Sequence, residues 1–141
     1  TTRRARAGEV FLAQRLVRKL CDSCKKQEKS ADEERAVFES IVATLPERYK
    51  KEVAGVDFSL VWHAGGGCQK CGMIGYKGRV GVFEAIIMNA EIENLIKESP
   101  SAREIRTVAD AQGLLTLRQD GVLKILKGIT TLAELERVVG E

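Results

Sequence analysis

The stretch "GGGCQKCGMIGYKGR", Gly65–Arg79, holds six glycines, two cysteines spaced C-x-x-C and three basic residues in fifteen positions. Two chemistries compete for such a segment. A glycine-rich loop can cradle phosphate, and a C-x-x-C turn can supply half of a metal site. A P-loop needs G-x-x-x-x-G-K-[ST] between a strand and a helix, so that backbone N–H groups face the phosphates. No glycine in this chain is followed by Lys and then by Ser or Thr. The glycines lead into "RVGVFEAIIM", Arg79–Met88, which is β-branched and apolar and reads as a strand.

The metal reading extends to the rest of the chain. There are four cysteines, Cys21, Cys24, Cys68 and Cys71, in the pattern C-x2-C-x43-C-x2-C. Two C-x-x-C turns can close a tetrahedral shell of four thiolates around Zn²⁺. Gly72, directly after Cys71, can take a positive φ and aim backbone N–H groups at sulfur. Gly65 to Gly67 give the chain room to turn into the site. Disulfides, a redox C-x-x-C and a rubredoxin-type iron site draw on the same residues. Disulfides are rare in a reducing compartment, and redox chemistry on one pair leaves the other unexplained. The expected occupant is one structural Zn²⁺ per chain, in a closed site with no position open for water. His63 is the only histidine, and it is redundant as a fifth ligand.

Bulk composition sets the frame. A chain of 141 residues that is 44% hydrophobic and 30% charged is globular, with one domain or two small ones. Aromatics make up only 5%, so the core is aliphatic. No apolar run approaches the roughly 20 residues of a membrane span, and "TTRRARAGEV" carries no signal-peptide h-region. The expected location is cytoplasmic, and the missing initiator Met suggests a fragment. Residues 1–29 hold nine Lys or Arg against three acids, a balance of +6 within a net charge of +3. Such a segment suits nucleic acid, a membrane surface or an acidic partner, or is simply a solvated face. Only Phe11 interleaves with these charges, which speaks against single-strand nucleic acid.

Periodicity predicts an amphipathic helix from Arg6 to Leu20, with Ala7, Val10, Phe11, Ala13, Leu16, Val17 and Leu20 at helical spacing. Ser30 and Glu33 read as a capping box for a helix carrying Val37, Phe38, Ile41, Val42 and Leu45. Pro46 interrupts it, and Thr44 with Glu47 predicts a short second helix to about Val53. "VDFSLVW", Val56–Trp62, alternates like a strand. Four short helices are expected after Met88. Asn89 caps the first, Pro100 sits in the first turn of the second, Thr116 opens the third, and Thr131 with Glu134 forms a capping box for the fourth.

Three segments together resemble a known family: "AQRLVRKLCDSC", "GCQKCGMIGYKGRVGVFEAIIMN" and "GLLTLRQDGVLKILKGITTLAELERVV". They are similar, in order, to the C-terminal part of the type II secretion and type IV pilus assembly ATPases, the GspE/PilB-type traffic ATPases. The resemblance implies that Ala13–Cys24 closes an ATPase core and that Cys21, Cys24, Cys68 and Cys71 form a small zinc-binding subdomain before a helical tail. The Walker A and Walker B elements and the aspartate and histidine boxes of that family have no counterpart here. ATP and Mg²⁺ are therefore expected only in a full-length parent, and this chain is expected to have no catalytic residues and no turnover of its own.

The expected fold is α+β and mostly helical. It has a tetracysteine, zinc-stapled subdomain with a short antiparallel β element, and a C-terminal bundle of short helices. The expected division is 1–24 (a helix closing the ATPase core and the first C-x-x-C), 21–88 (the zinc subdomain with a helical insert) and 89–141 (the helical tail). The resemblance implies a structural and interaction module of a hexameric motor, cytoplasmic and peripheral to the inner membrane. Its expected partners are the remaining ATPase domains, neighbouring subunits and inner-membrane platform proteins, with no nucleic acid and no transmembrane segment. Gln14, Arg15, Tyr76, Lys77 and Arg79 are candidate interaction residues, although Gln14 and Arg15 could merely pack, and Gly75 and Gly78 could merely turn the chain. In the turn reading Arg79 pairs with Glu84 or Asp120. Two rivals remain: a zinc-dependent nucleic-acid-binding module and a redox enzyme using one C-x-x-C.

Overall fold

The computed structural model describes residues 10–140. In chain order the elements are β1 (Val10–Leu20), β2 (Lys26–Lys29), α1 (Asp32–Ala43), α2 (Glu47–Lys50), β3 (Leu60–His63), β4 (Tyr76–Ile87), α3 (Ala90–Lys97), α4 (Ala102–Asp110), α5 (Leu117–Leu126) and α6 (Leu132–Val139). Short 3₁₀ turns occupy Lys51–Val53 and Gln69–Cys71. Helices and small antiparallel sheets alternate, so the fold is α+β.

The helix expected from Arg6 to Leu20 is corrected. Residues 10–20 form an extended strand paired antiparallel with β4, in a register running from Val10 opposite Ile87 to Val17 opposite Val80. Residues 6–9 of that expectation lie outside the described residues. The misreading has a physical cause. Val17 and Leu20 are both buried and three residues apart, which is a helical interval. In a strand that interval puts them on opposite faces. Both faces of β1 are covered at this end, so the alternation that marks a half-buried strand is missing.

The ladder breaks once. Arg18 faces Arg79, but Leu20 faces Tyr76, so Lys19 stands against both Lys77 and Gly78. This is a β-bulge on β4, with Gly78 in the left-handed region at φ +80°. It turns β4 out of the cysteine loop. The second sheet is the short β2–β3 pair, with Lys26 opposite His63 and Lys29 opposite Leu60.

α5 stands at the centre of the core. Its Val122 and Ile125 are fully buried among Val17 of β1, Phe38 of α1, Val61 of β3, Val82 of β4 and Leu135 of α6. Gly121 permits the α5–α6 crossing, because a Cβ there would lie 2.3 Å from Leu135 Cδ1. A second group, Leu45, Val53 and Leu123, secures the α1–α2 corner.

Several helix starts follow the sequence. Asn89 Oδ1 accepts the Ile92 N–H at 2.9 Å, and Thr116 and Gln119 form a reciprocal box. Two expected starts are corrected. α1 begins one residue later than Ser30 predicts: Glu34 accepts the Ala31 N–H at 3.2 Å, while the Ser30 hydroxyl donates to the Phe58 carbonyl at 2.6 Å. α4 is capped by Ser101 with Glu104, which leaves Pro100 outside the helix.

The candidate metal centre

Cys21 follows the last residue of β1 and is anchored there, since its N–H donates to the Gly75 carbonyl at 3.0 Å. The chain then turns, with the Cys24 and Lys25 N–H groups both donating to the Cys21 carbonyl. The second knuckle is the 3₁₀ turn Gln69–Cys71, closed by Gly72 at φ +65°. The two knuckles touch through backbone, and a Cβ on Gly65 would lie 2.0 Å from the Cys24 carbonyl oxygen. Only glycine fits between them.

These turns bring all four sulfurs, from Cys21, Cys24, Cys68 and Cys71, within 4.8 Å of one another. Cys21 and Cys68 are 3.8 Å apart, Cys24 and Cys71 3.9 Å, and Cys68 and Cys71 3.8 Å. A tetrahedron with bonds of about 2.3 Å to sulfur has edges of about 3.8 Å. The spacing therefore matches a four-thiolate shell. It is far from a disulfide bond of about 2.05 Å, and the cysteines are free. The donor set could hold one soft metal ion and is compatible with zinc.

The electrostatics favour a cation at the centre. Hydrogen bonds from the Cys68 and Gly75 N–H groups, at 3.3 and 3.2 Å, outweigh burial and pull the Cys71 thiol down to about 6. Burial and hydrogen bonds to the other three thiols push Cys24 up to about 12. Four thiols this close cannot all ionise without a positive charge among them. His63 takes no part. Its Nδ1 lies 3.3 Å from Glu28 and its Nε2 3.2 Å from Glu34, so both ring nitrogens are engaged elsewhere.

The other candidate residues do not converge on the cysteines. Gln14 and Arg15 lie well up β1, opposite Phe83 and Val82, and point to opposite faces. Among the described residues, Arg15 Nη1 donates only to the neighbouring Gln14 carbonyl, at 2.8 Å. Tyr76 is half-buried, its hydroxyl 3.0 Å from Thr131 Oγ1 and its ring 4.4 Å beneath the Arg18 guanidinium. Lys77 is exposed in the bulge. The expected partners of Arg79 are taken: Glu84 pairs with Arg106, and Asp120 with Lys124 at 2.8 Å. Arg79 instead lines a cavity of about 500 Å³ with Leu16, Arg18 and Arg137.

Sequence reasoning missed the ion cluster beside the site. Glu134, only 2% exposed, bonds both Arg18 and Arg137. Its position in a Thr-x-x-Glu pattern suggested capping alone. The Thr131 hydroxyl does accept the Glu134 N–H at 3.3 Å, but the carboxylate reaches across to β1.

Residues 5–137 match the family model described as "Type II/IV secretion system protein". The chain belongs to this family. It is 38% identical over 130 residues to a type IV pilus assembly ATPase PilB of Thermus thermophilus, a match covering 88% of this chain and 13% of the relative. It is 35% identical to a PilB of Acinetobacter baylyi, over 97% of this chain and 22% of the relative. It is 33% identical to a type II secretion system protein E of Pseudomonas aeruginosa, over 92% and 23%. The chain thus spans less than a quarter of the length of these curated relatives.

Proposed function

We propose that this chain acts as the C-terminal structural and interaction module of a secretion or pilus-assembly ATPase, with one Zn²⁺ on Cys21, Cys24, Cys68 and Cys71 holding its fold. The observation that carries the reading is the sulfur spacing of 3.8–3.9 Å in a chain of this family. Zn²⁺, when bound, would supply the positive charge that lets four thiolates coexist. The residues around it do the positioning. Gly65 and Gly72 let the knuckles meet, and the Gly75 N–H orients Cys71. The metal then ties the end of β1 to the start of β4 and does no chemistry.

The β1–β4 ribbon is the module's face toward the ATPase core. Val10, Leu12, Leu16, Phe83 and Ile87 share one face of it and are 41–62% exposed. Five large apolar side chains on one sheet face mark a buried contact in the assembled protein. Before Arg18, the outer edge of β1 also has no strand partner among the described residues, so its backbone groups there are available for pairing. In the parent motor, ATP and Mg²⁺ belong to the core. Its activity, hexameric assembly, cytoplasmic position at the inner membrane and platform-protein partners are read from the family. No helix among the described residues is long and apolar enough to cross a membrane.

Elemental analysis of the purified chain tests the metal, with one zinc per chain expected and less than a tenth of that in Cys24→Ser/Cys71→Ser. A preparation without metal overturns the zinc claim. For the docking face, Leu12→Glu/Leu16→Glu in a full-length protein should abolish ATPase activity while the tetracysteine unit keeps its zinc. Full activity in that variant overturns the docking face.

A further inference from the structure

A groove next to the cysteine site is unused by this reading. It has a volume of about 460 Å³ and lies between α1 and the start of α6, with the end of β3 and the Tyr76 ring as its floor. Its apolar surface comes from Val37, Ala64, Leu132 and Ala133. The small side chains Ala64 and Ala133 leave the space open. The volume falls in the range of ligand pockets, about 300–1,000 Å³.

The formal charge lining the groove is acidic: among the described residues Glu33, Glu34 and Glu136 line it beside His63, and neither Lys nor Arg does. This is notable on a chain of net charge +3. Glu33 has no ion-pair partner among the described residues, and Glu136 has only a loose contact at 3.8 Å with Arg118. Glu34 is held 3.2 Å from His63, which fixes one wall. An apolar trough with the unpaired Glu33 on one bank and the loosely held Glu136 on the other is complementary to a segment that places apolar side chains between Lys or Arg.

We infer that this groove docks a short basic, apolar-anchored polypeptide segment of a partner protein, the apolar side chain seating on Val37, Ala64 and Leu132 and the flanking cations on Glu33 and Glu136. The site uses none of the four cysteines and none of the exposed apolar side chains of the β1–β4 face, so its failure leaves both of those claims standing.

The test is amide-shift titration of the ¹⁵N-labelled, zinc-loaded chain with a five-residue blocked peptide alternating arginine and leucine. Two control peptides replace leucine with serine, or arginine with glutamate. Saturable shifts are expected at Val37, Ala64 and Ala133, with affinity falling at least roughly tenfold for either control and for Glu33→Lys/Glu136→Lys. Ala133→Leu fills the groove without changing charge and should block binding, which decides the matter if the charge-reversal variant loses its dispersed spectrum. Equal binding of the glutamate peptide, shifts confined to other surfaces, or unchanged affinity in Ala133→Leu would each overturn the proposal.

Discussion

Glu134, at the start of α6, accepts three hydrogen bonds from Arg18 of β1: the backbone N–H at 2.9 Å, Nε at 2.9 Å and Nη2 at 2.7 Å. Residues 116 apart in sequence are thereby joined beside the cysteine site. Arg137, one turn along α6, adds two more bonds at 3.0 and 2.9 Å. The Thr130 hydroxyl donates to the Arg18 carbonyl at 2.8 Å, and the Leu20 N–H donates to the Ile129 carbonyl at 2.8 Å. These contacts seat the α5–α6 connection on the outer edge of β1, just before Cys21.

This cluster sets a pH dependence. Burial alone would raise the Glu134 pKa, but hydrogen bonds from Arg137 and Arg18 outweigh it and lower it to about 2, from 4.5. A carboxylate depressed in the folded state contributes fully above its unfolded pKa, and that contribution is lost as pH falls through the folded one. Stability should therefore decline from about pH 4.5 down to about pH 2. In Glu134→Gln that acid slope should flatten. At pH 7 the variant should lose about 1.5–3 kcal/mol, the scale of hydrogen bonds to a charged group. Urea unfolding of both proteins at pH 3 and pH 7 measures the difference.

The second prediction concerns a residue that is not a ligand. A Cβ at Gly65 would meet the Cys24 carbonyl oxygen at 2.0 Å. The obstacle is backbone, so the knuckles must separate to admit it. Gly65→Ala should weaken zinc binding by roughly 10- to 100-fold, the range seen when residues supporting metal ligands are lost. Competition with a chromogenic chelator reads this directly. Gly66→Ala is the control, because nothing lies within 4 Å of a Cβ there, and it should bind zinc as the parent chain does.

The two cysteine knuckles and the helix starts at Asn89, Thr116 and Thr131 could be read from sequence because each is local chemistry. A C-x-x-C turn, a hydroxyl cap or a glycine at positive φ depends on neighbours a few residues away. β1 could not be read this way. Its conformation depends on pairing with β4, some seventy residues later, and its apolar residues lie on both faces. The Arg18–Glu134 link failed for the same reason, since nothing near Glu134 in sequence announces a partner on the first strand. The sequence also placed Arg79 beside Glu84 or Asp120. In the fold Arg106 of α4 takes Glu84, and Asp120 pairs with Lys124 one turn along its own helix.

A third prediction follows from the close contact at the end of α5. Gly128 sits at φ +77°, and a Cβ there would lie 2.6 Å from Cδ1 of the Trp62 ring. The ring has little freedom, because Lys25 Nζ lies 4.9 Å from its centroid and donates to the Gly128 carbonyl at 3.0 Å. Gly128→Ala combines left-handed strain, about 1 kcal/mol or more, with overpacking of about 1–3 kcal/mol. A loss of about 2–4 kcal/mol in urea unfolding is expected, together with a shift in Trp62 fluorescence.

The last prediction is how far the loss of the metal spreads. Structural zinc in small peptides binds with apparent energies of about 10–16 kcal/mol, comparable to the roughly 5–15 kcal/mol stability of a whole domain. The site joins Cys21 and Cys24 to Cys68 and Cys71, so Cys24→Ser/Cys71→Ser should first release the two knuckles and the bulged end of β4. The damage should then reach α5 and α6, because Leu20 is bonded to Ile129, and Val17 and Val82 pack with Val122, Ile125 and Leu135. α3 and α4 pack mainly on each other and lie at the far end of β4, where Gln112 bonds the Ile87 N–H and carbonyl at 2.8 and 2.6 Å. Hydrogen exchange on the variant should therefore show protection lost at residues 20–25, 68–80 and 117–139, and least changed at 90–110. Protection lost only between residues 20 and 80 would mean that α5 and α6 hold together without the metal. Unchanged protection at Cys71 and Gly75 would mean that the cysteines do not stabilise the fold.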